Sequence, residues 1–542
     1  MSEDVAAHPK LFEPATLILV LILSVFGAII GMQLLTSLGV TPNTSMIGAL
    51  VAIGLARVPL SLFRRYRSVH VQNLAQSAIS AATFGAANSL LLPIGIPFVL
   101  GRPDLIKPMF AGVAIAMLLD GFLLYRMFDT KVFPAAGAWP PGVAAAEAIR
   151  AGDEGGRKAA VLGLGVGVGA AGAWFGIPMS AFGIAFIGNV WALAMFGLGL
   201  LARGYSKTLF SGPAFQSVIP GGDLNAALVP HGFMIGAGLM ALIQVGVVIS
   251  RRDTTDNSGT VTTPGGAAPI TTTALGTTLG LGFVGYLCIA IGIALAGGLA
   301  SDLPIGMLIA FMVYAAFAAF VHELIVGLAA MHSGWFPAFA VALITLLIGV
   351  LIGFPVPALA LLVGFSAATG PAFADMGYDL KAGFMLRAGH GPAFEADGRR
   401  QQLYAAMAAF IVAIVVVALT WQGYFAQNLI PPVDRVYAAT IRTGIAGPAA
   451  RSMILWAIPG ALLQLLGGQQ RQLGVLFATG LLIAAPLAGW AVLVGIVCRQ
   501  IWLAVAGPAG QSIMEVFAGG VIAGDALLSF FTSVGANLSR RN

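Results

Sequence analysis

The chain has 542 residues, 58% hydrophobic and only 9% charged, with a net charge of +6 and a mean hydropathy of +0.94. Soluble domains carry about 25% charged residues, so this composition excludes a soluble enzyme and a nucleic-acid binder and points to an all-α, polytopic membrane protein. Its 71 glycines suit helices whose backbones pack closely or open around a substrate.

A span needs about 20 apolar residues to cross about 30 Å of hydrocarbon. The N-terminal segment MSEDVAAHPK opens with acidic residues rather than a basic secretory start, so the first span, 15–38, is expected to stay in the mature protein. Spans at 45–62, 71–92 and 106–127 follow. The last contains Asp120 within AGVAIAMLLDGFLLYR, where a carboxylate either takes up a proton or pairs with a neighbouring helix. Segment 132–150 is too broken for a simple span. Its Trp139-Pro140-Pro141-Gly142 start opens a helix carrying Glu147 and Arg150, whose free N–H groups are expected to line a substrate path. Trp139 is read as a ligand-stacking ring or an interfacial belt residue.

Spans at 158–176 and 179–202 come next, with Asn189 as a helix–helix hydrogen-bonding or path-lining residue. Asp223, Asn225 and His231 gather in PGGDLNAALVPHG, read as a re-entrant gate or an external loop, before a span at 231–250. Residues 251–271 form a polar, low-complexity linker between an N-terminal half (1–250) and a C-terminal half (272–542). Residues 253–380 contain no lysine or arginine. Spans at 273–299, 304–331, 335–354 and 357–376 fill that stretch, and His322-Glu323 sits midway along the second of them. Glu323 is the candidate coupling carboxylate, with His322 as a second titrating group that tunes it. Adjacent residues point about 100° apart on a helix, so only one of the two faces a given cavity squarely. Segment 377–396 is again broken. Spans at 402–422 and 449–467, two short helices between 473 and 505 and a last span at 511–535 give 14 to 16 crossings.

Arg64, Arg65 and Arg67, then Arg150, Arg157 and Lys158, mark cytoplasmic loops, and with Arg540 and Arg541 they put both termini inside. Cys288 and Cys498 lie in apolar runs, which rules out a disulfide framework or a cysteine metal site. Three short echoes recur in the same order in both halves. GMQLLTSLGVTP matches GLAAMHSGWFP, SAATFGAA matches SAATGPAF, and IRAGDEGGRKAA matches LKAGFML with GRRQQLYAAM. Duplicated halves with a site at their interface are a recurrent plan of secondary transporters. No phosphate-binding G-x-x-x-x-G-K-[ST] loop occurs. His322-Glu323 lacks the second histidine of a zinc protease helix, because position 326 is valine. No catalytic set, cofactor site or metal site emerges. The alternatives to a transporter are a channel, which would need polar rings, and a membrane-embedded enzyme.

The segment FPAAGAWPPGVAAAEAIRAGDEGGRKAA resembles the proline-glycine loop and alanine-rich helix of the oligopeptide transporter (OPT) family, which includes the yellow stripe-like metal-chelate transporters. DLKAGFML followed by GRRQQ resembles that family's second-half loop, and FAGGVIAGDALLSFF its last helix. The N-P-G and K-I-P-P-R motifs of the eukaryotic peptide branch do not occur, which suits a prokaryotic-type member. The resemblance implies proton-coupled import of oligopeptides or peptide-like metal chelates and siderophores across the plasma (inner) membrane. It adds Asp379 and Lys381 to the substrate-path candidates and Asp525 to the proton-coupling candidates. The expected partners are the substrate, protons, the lipid bilayer and a second copy of the chain as a homodimer.

Overall fold

The computed structural model describes residues 8–38, 66–250, 272–334, 338–444, 447–483, 485–507 and 510–539. Among them the secondary structure is helical, apart from one isolated bridge between Phe128 and Phe133. The expected span at 45–62, the 251–271 linker, Arg64, Arg65, Arg540 and Arg541 lie outside the described residues.

The first described half runs through α1 (Pro14–Leu38), α2 (Val69–Phe84), α3 (Leu92–Leu100), α4 (Ile106–Met127), α5 (Pro140–Glu154), α6 (Gly156–Trp174), α7 (Met179–Ala185), α8 (Val190–Gly204) and α9 (Val229–Ser250). The second runs through α10 (Thr272–Ala296), α11 (Ile305–Ser333), α12 (Ala338–Ile352), α13 (Val356–Ala368), α14 (Pro371–Leu386), α15 (Pro392–Ala426), α16 (Pro432–Thr443), α17 (Gly447–Arg471), α18 (Leu473–Leu482), α19 (Pro486–Ala506) and α20 (Gln511–Ser539). Among the described residues, eight stretches are long and apolar enough to cross a membrane, and four shorter apolar helices accompany them.

Three expected spans differ in outline. The stretch 179–202 breaks into α7 and α8, because Asn189 caps α8 by accepting the Ala192 N–H at 3.1 Å. The stretch 357–376 breaks after Ala368, and its second part continues to Leu386, through part of the segment read as irregular. Proline at position 371 cannot supply the N–H that an unbroken helix needs, and Gly370 holds φ +96. α15 begins at Pro392 rather than 402 and runs for 35 residues.

Glycine sets the closest helix contacts. α6 presents Gly165 and Gly169 to Gly520 and Gly524 of α20. A Cβ on Gly169 would lie 2.1 Å from the Val521 carbonyl oxygen, and one on Gly524 would lie 2.1 Å from that of Val166. α1 meets α2 through Gly27 and Gly31, and α9 meets α17 through Gly232, Gly236 and Gly460. Lipid is as apolar as leucine, so helix association in a bilayer depends on such close backbone approach.

The centre of the protein is a pair of proline-started helices, α5 and α14. Each follows a positive-φ residue, Trp139 at 39° and Gly370 at 96°. The two cross where small residues allow it. A Cβ on Gly142 would lie 2.3 Å from the Tyr378 carbonyl oxygen, and one on Gly377 would strike the Trp139 ring at 2.1 Å. IRAGDEGGRKAA runs from the end of α5 into α6, and LKAGFML closes α14. α14 also packs against α2, α4 and α11.

The N-terminal segment 8–13 is tied to the start of α15. Lys10 pairs with Asp397, and the Leu11 N–H donates to Gln401 Oε1 at 2.9 Å. His8 is buried, with its ring 5.1 Å from both His70 and Phe394.

Gly169→Leu should lower stability by about 1–3 kcal/mol through overpacking. Gly167→Ala, on the open side of α6, should be neutral or up to about 1 kcal/mol stabilising. Thermal melts in detergent check both. Desolvation first, then the charges of Arg387 and Lys10, push the His8 imidazole down to about 4, against a bond to the Pro9 carbonyl and the charge of Asp397 that favour the cation. A folded value below the free one of about 6.5 means docking is favoured with a neutral ring. That contribution is fully present above about pH 6.5 and is lost as pH falls toward 4. Hydrogen-exchange protection over residues 8–13, measured relative to the free chain at each pH, should therefore fall as pH drops across that window, and His8→Phe should remove the step.

Candidate functional site

Three of the ionisable residues singled out in the sequence converge on the break between α13 and α14. Asp120 from α4 is wholly buried, and its Oδ2 accepts the Gly370 N–H at 3.0 Å. That N–H is one of the backbone donors left free where a helix starts. In the bilayer core each unsatisfied backbone group costs several kcal/mol, so the carboxylate satisfies a group that the break would otherwise strand.

Asp120 Oδ1 lies 2.5 Å from the hydroxyl of Tyr286 on α10. The same hydroxyl is hydrogen-bonded to Glu323 Oε2 from α11. A phenol has one proton to donate. It can serve one of these carboxyl groups, and the other contact then requires a proton on the second carboxyl, donated to the tyrosine oxygen. The Asp120–Tyr286–Glu323 bridge therefore needs a carboxyl proton that the two acids share through Tyr286. Among the described residues Glu323 Oε1 has no hydrogen-bond partner.

His322 does not complete this bridge, although the sequence suggested that it tunes Glu323. Its Nε2 is 2.7 Å from the Ala338 carbonyl oxygen, which puts a proton on Nε2. Its Nδ1 is 3.3 Å from Thr369 Oγ1. Thr369 also reaches the carbonyls of Ser366 and Ala319, so His322 helps hold the C-terminal end of α13. Neighbours about 100° apart on a helix thus address the two sides of one break, Glu323 the start of α14 and His322 the end of α13.

Below the break, α14 carries Asp375 and Asp379 one turn apart. Ser80 Oγ donates to Asp375 Oδ1 at 2.5 Å, and Gln76 Nε2 donates to Asp379 Oδ1 at 2.6 Å. Lys381 Nζ donates to the Ala135 carbonyl at 2.9 Å and ties α14 to the chain before α5. On α5, Glu147 is buried and paired with Arg150 at 3.0 Å, and Arg150 also donates to the Met385 carbonyl.

Trp139 is neither an interfacial belt residue nor an exposed stacking platform. It is wholly buried, with Phe128, Phe133 and Tyr378 around it and its backbone N–H on the Met331 carbonyl at 2.8 Å. An αL backbone turns this ring inward, where Gly377 leaves room for it. Gly142 likewise provides a backbone crossing.

The other candidates lie apart. Asp223 accepts the Asn225 and Ala226 N–H groups in a largely exposed turn, near Arg203 and Lys207. His231 is buried at the start of α9, with an unpartnered Nδ1. Asn189 is the cap of α8. Asp525 accepts the Ser180 N–H at 2.6 Å, where α7 begins, and borders a cavity of about 720 Å³ lined by Trp174, Pro178, Pro486 and Thr532. Among the described residues no group of three or more histidines, cysteines or acids is placed to hold a metal.

Sequence reading missed Tyr286, Asp375 and the polar face of α2. Tyr286 is the one aromatic hydroxyl in the run LGLGFVGYLCIAIG, and Asp375 precedes Asp379 by one helical turn. Asn73, Gln76, Ser77, Ser80 and Thr83 recur at helical spacing, all buried. That periodic polar stripe was a signal for a polar neighbour.

A family model described as OPT oligopeptide transporter protein matches residues 14–251 and 278–536. No curated protein and no solved structure matches the chain.

Trp139→Ala should cost about 3–5 kcal/mol, the range for emptying a buried aromatic site, read as a lower melting temperature. Trp139→Phe should cost distinctly less.

Proposed function

Because this chain belongs to the OPT oligopeptide transporter family, it is a multi-pass membrane transporter of oligopeptides, and we propose that it drives their import with protons held between Asp120 and Glu323. The observation that carries this reading is the single Tyr286 hydroxyl bonded to two buried carboxyl groups, an arrangement that needs an acid proton. Loss of that proton would leave two carboxylates facing one hydroxyl in a medium that solvates charge poorly. The break between α13 and α14 would then rearrange, since Asp120 also holds the first N–H of α14.

Alternating access follows as a population shift. A ligand moves such an equilibrium only by its differential affinity for the two states, and the proton supplies that difference at the broken helix. The central α5–α14 crossing, where two broken elements meet through Gly142 and Gly377, is the natural place for the two halves to move against each other. Buried Glu147 and Lys381 sit beside this crossing, with the partly exposed Arg150 paired to Glu147. We place the substrate path there, with charges of both signs to meet a peptide's termini.

Proteoliposomes with an imposed proton gradient test the reading, with di- to pentapeptides compared against metal chelates. Glu323→Gln imitates the protonated acid and should reduce gradient-driven accumulation to the level of equilibration while leaving counterflow exchange partly intact. Tyr286→Phe removes the shared hydroxyl, which should uncouple uptake similarly and cost about 1–3 kcal/mol for the buried acceptors left unpaired. Accumulation by Glu323→Gln equal to that of the parent would make Glu323 structural.

A further inference from the structure

A second pair of acids on α14 has no role in the bridge above. Asp375 and Asp379 are four residues apart, so they lie on the same face of the helix, and both are wholly buried. Like charges at this spacing repel even on exposed helices. Among the described residues neither makes an ion pair. The cations nearest in the hydrogen-bond network are engaged elsewhere. Lys381 is on the Ala135 carbonyl, and Arg387 is bonded to Glu395 and to Gln402 Oε1. Gln402 in turn donates to the Asp379 backbone carbonyl at 2.6 Å and not to its carboxyl group.

Each acid receives one neutral donor, Ser80 or Gln76, on Oδ1. The second oxygen of each, Asp375 Oδ2 and Asp379 Oδ2, has no hydrogen-bond partner among the described residues. Independently, the hydroxyl of Tyr378, between them in sequence, is buried and has no hydrogen-bond partner among the described residues. Three buried polar atoms thus lack partners among the described residues, two of them on acids that have no counter-ion there. Leaving two carboxylates ionised there carries the uncompensated cost of buried charge. A single proton removes most of it, because it neutralises one acid and gives the cluster a donor.

We propose that Asp375 and Asp379 form a second proton-binding site, holding one shared proton between them and separate from the Asp120–Tyr286–Glu323 bridge. Loading takes one proton from water and changes the charge of the pair from two negatives to one. The ligand is a proton rather than a multivalent metal, since no third acid, histidine or cysteine joins the pair among the described residues. The polar face of α2 leads to it, with Asn73 Nδ2 donating to Gln76 Oε1 at 3.0 Å and Gln76 to Asp379. Both proton sites are then attached to one buried helix. Asp120 holds its first N–H, and Asp375 stands five residues on, about 7.5 Å along the axis. A shift of α14 changes both environments together. This extends the coupled-transport reading by a second proton.

The test needs no transported substrate. Infrared difference spectra of the purified full-length protein, taken between alkaline and acidic pH in H2O and D2O, resolve the carbonyl stretch of protonated carboxyl groups. Asp375→Asn and Asp379→Asn should each abolish the same single band, because the proton is shared, while Glu323→Gln should leave that band and abolish another. If both aspartate variants keep every carboxylic band of the parent, or if sodium at fixed pH removes the band, the second proton site is wrong. Absence of a Glu323-dependent band would strike only the coupling role of the bridge. Should either asparagine variant fail to fold by gel filtration and melting, Asp375→Glu and Asp379→Glu keep the acid. Each should then shift the shared band, and an unshifted band in both would overturn the proposal equally.

Discussion

The hydrogen bond from the Gly370 N–H to Asp120 governs the centre of this protein. A helix cannot be interrupted inside a bilayer without stranding backbone donors and acceptors that water would otherwise satisfy. Here Pro371 and the positive φ of Gly370 end one helix and begin another among buried residues. Thr369 Oγ1 braces the end of α13 against the carbonyls of Ala319 and Ser366, His322 is held beside it, and the start of α14 is held by a carboxylate. An acid is costly at this depth, and a backbone break is costly as well. Placed together, each satisfies part of the other's need.

Around this centre the fold is built by contact rather than by a hydrophobic drive. Outward-facing side chains such as Trp174, Leu419 and Val505 remain exposed on the isolated chain, as expected of surfaces that lipid covers. Inward, glycines on α6 and α20, α1 and α2, and α9 and α17 let backbones approach until a single added carbon would collide with a carbonyl oxygen. The same device appears at the α5–α14 crossing, where Gly142 and Gly377 flank the buried Trp139 ring. Small residues therefore serve rigid packing at the periphery and the meeting of two broken helices at the centre.

Much of the fold was legible from the sequence, because a bilayer imposes a length and a polarity that no tertiary detail changes. The apolar runs mark α1, α4, α6, α10 and α11 almost to the residue, and the shortage of charge makes Asp120 and Glu323 conspicuous. Two of the three span errors fall where runs of membrane length hide a break, at Gly188-Asn189 and at Thr369-Gly370, and the third is the polar start of α15. Composition averages across a turn of two residues, and only a cap or a prolyl nitrogen reveals it.

By itself the sequence determined an all-α membrane protein with a few buried acids and the motifs of its family. Those properties depend on composition, periodicity and local order along the chain. Tertiary structure alone decided which acids meet. Asp120 and Glu323 are about two hundred residues apart, and nothing between them in the sequence indicates that Tyr286 stands between their carboxyl groups. The same holds for Trp139, whose αL backbone and the gap at Gly377 turn a presumed surface ring into the core. Side-chain partnership depends on helix rotation and crossing, which are set by packing against neighbours distant in the chain.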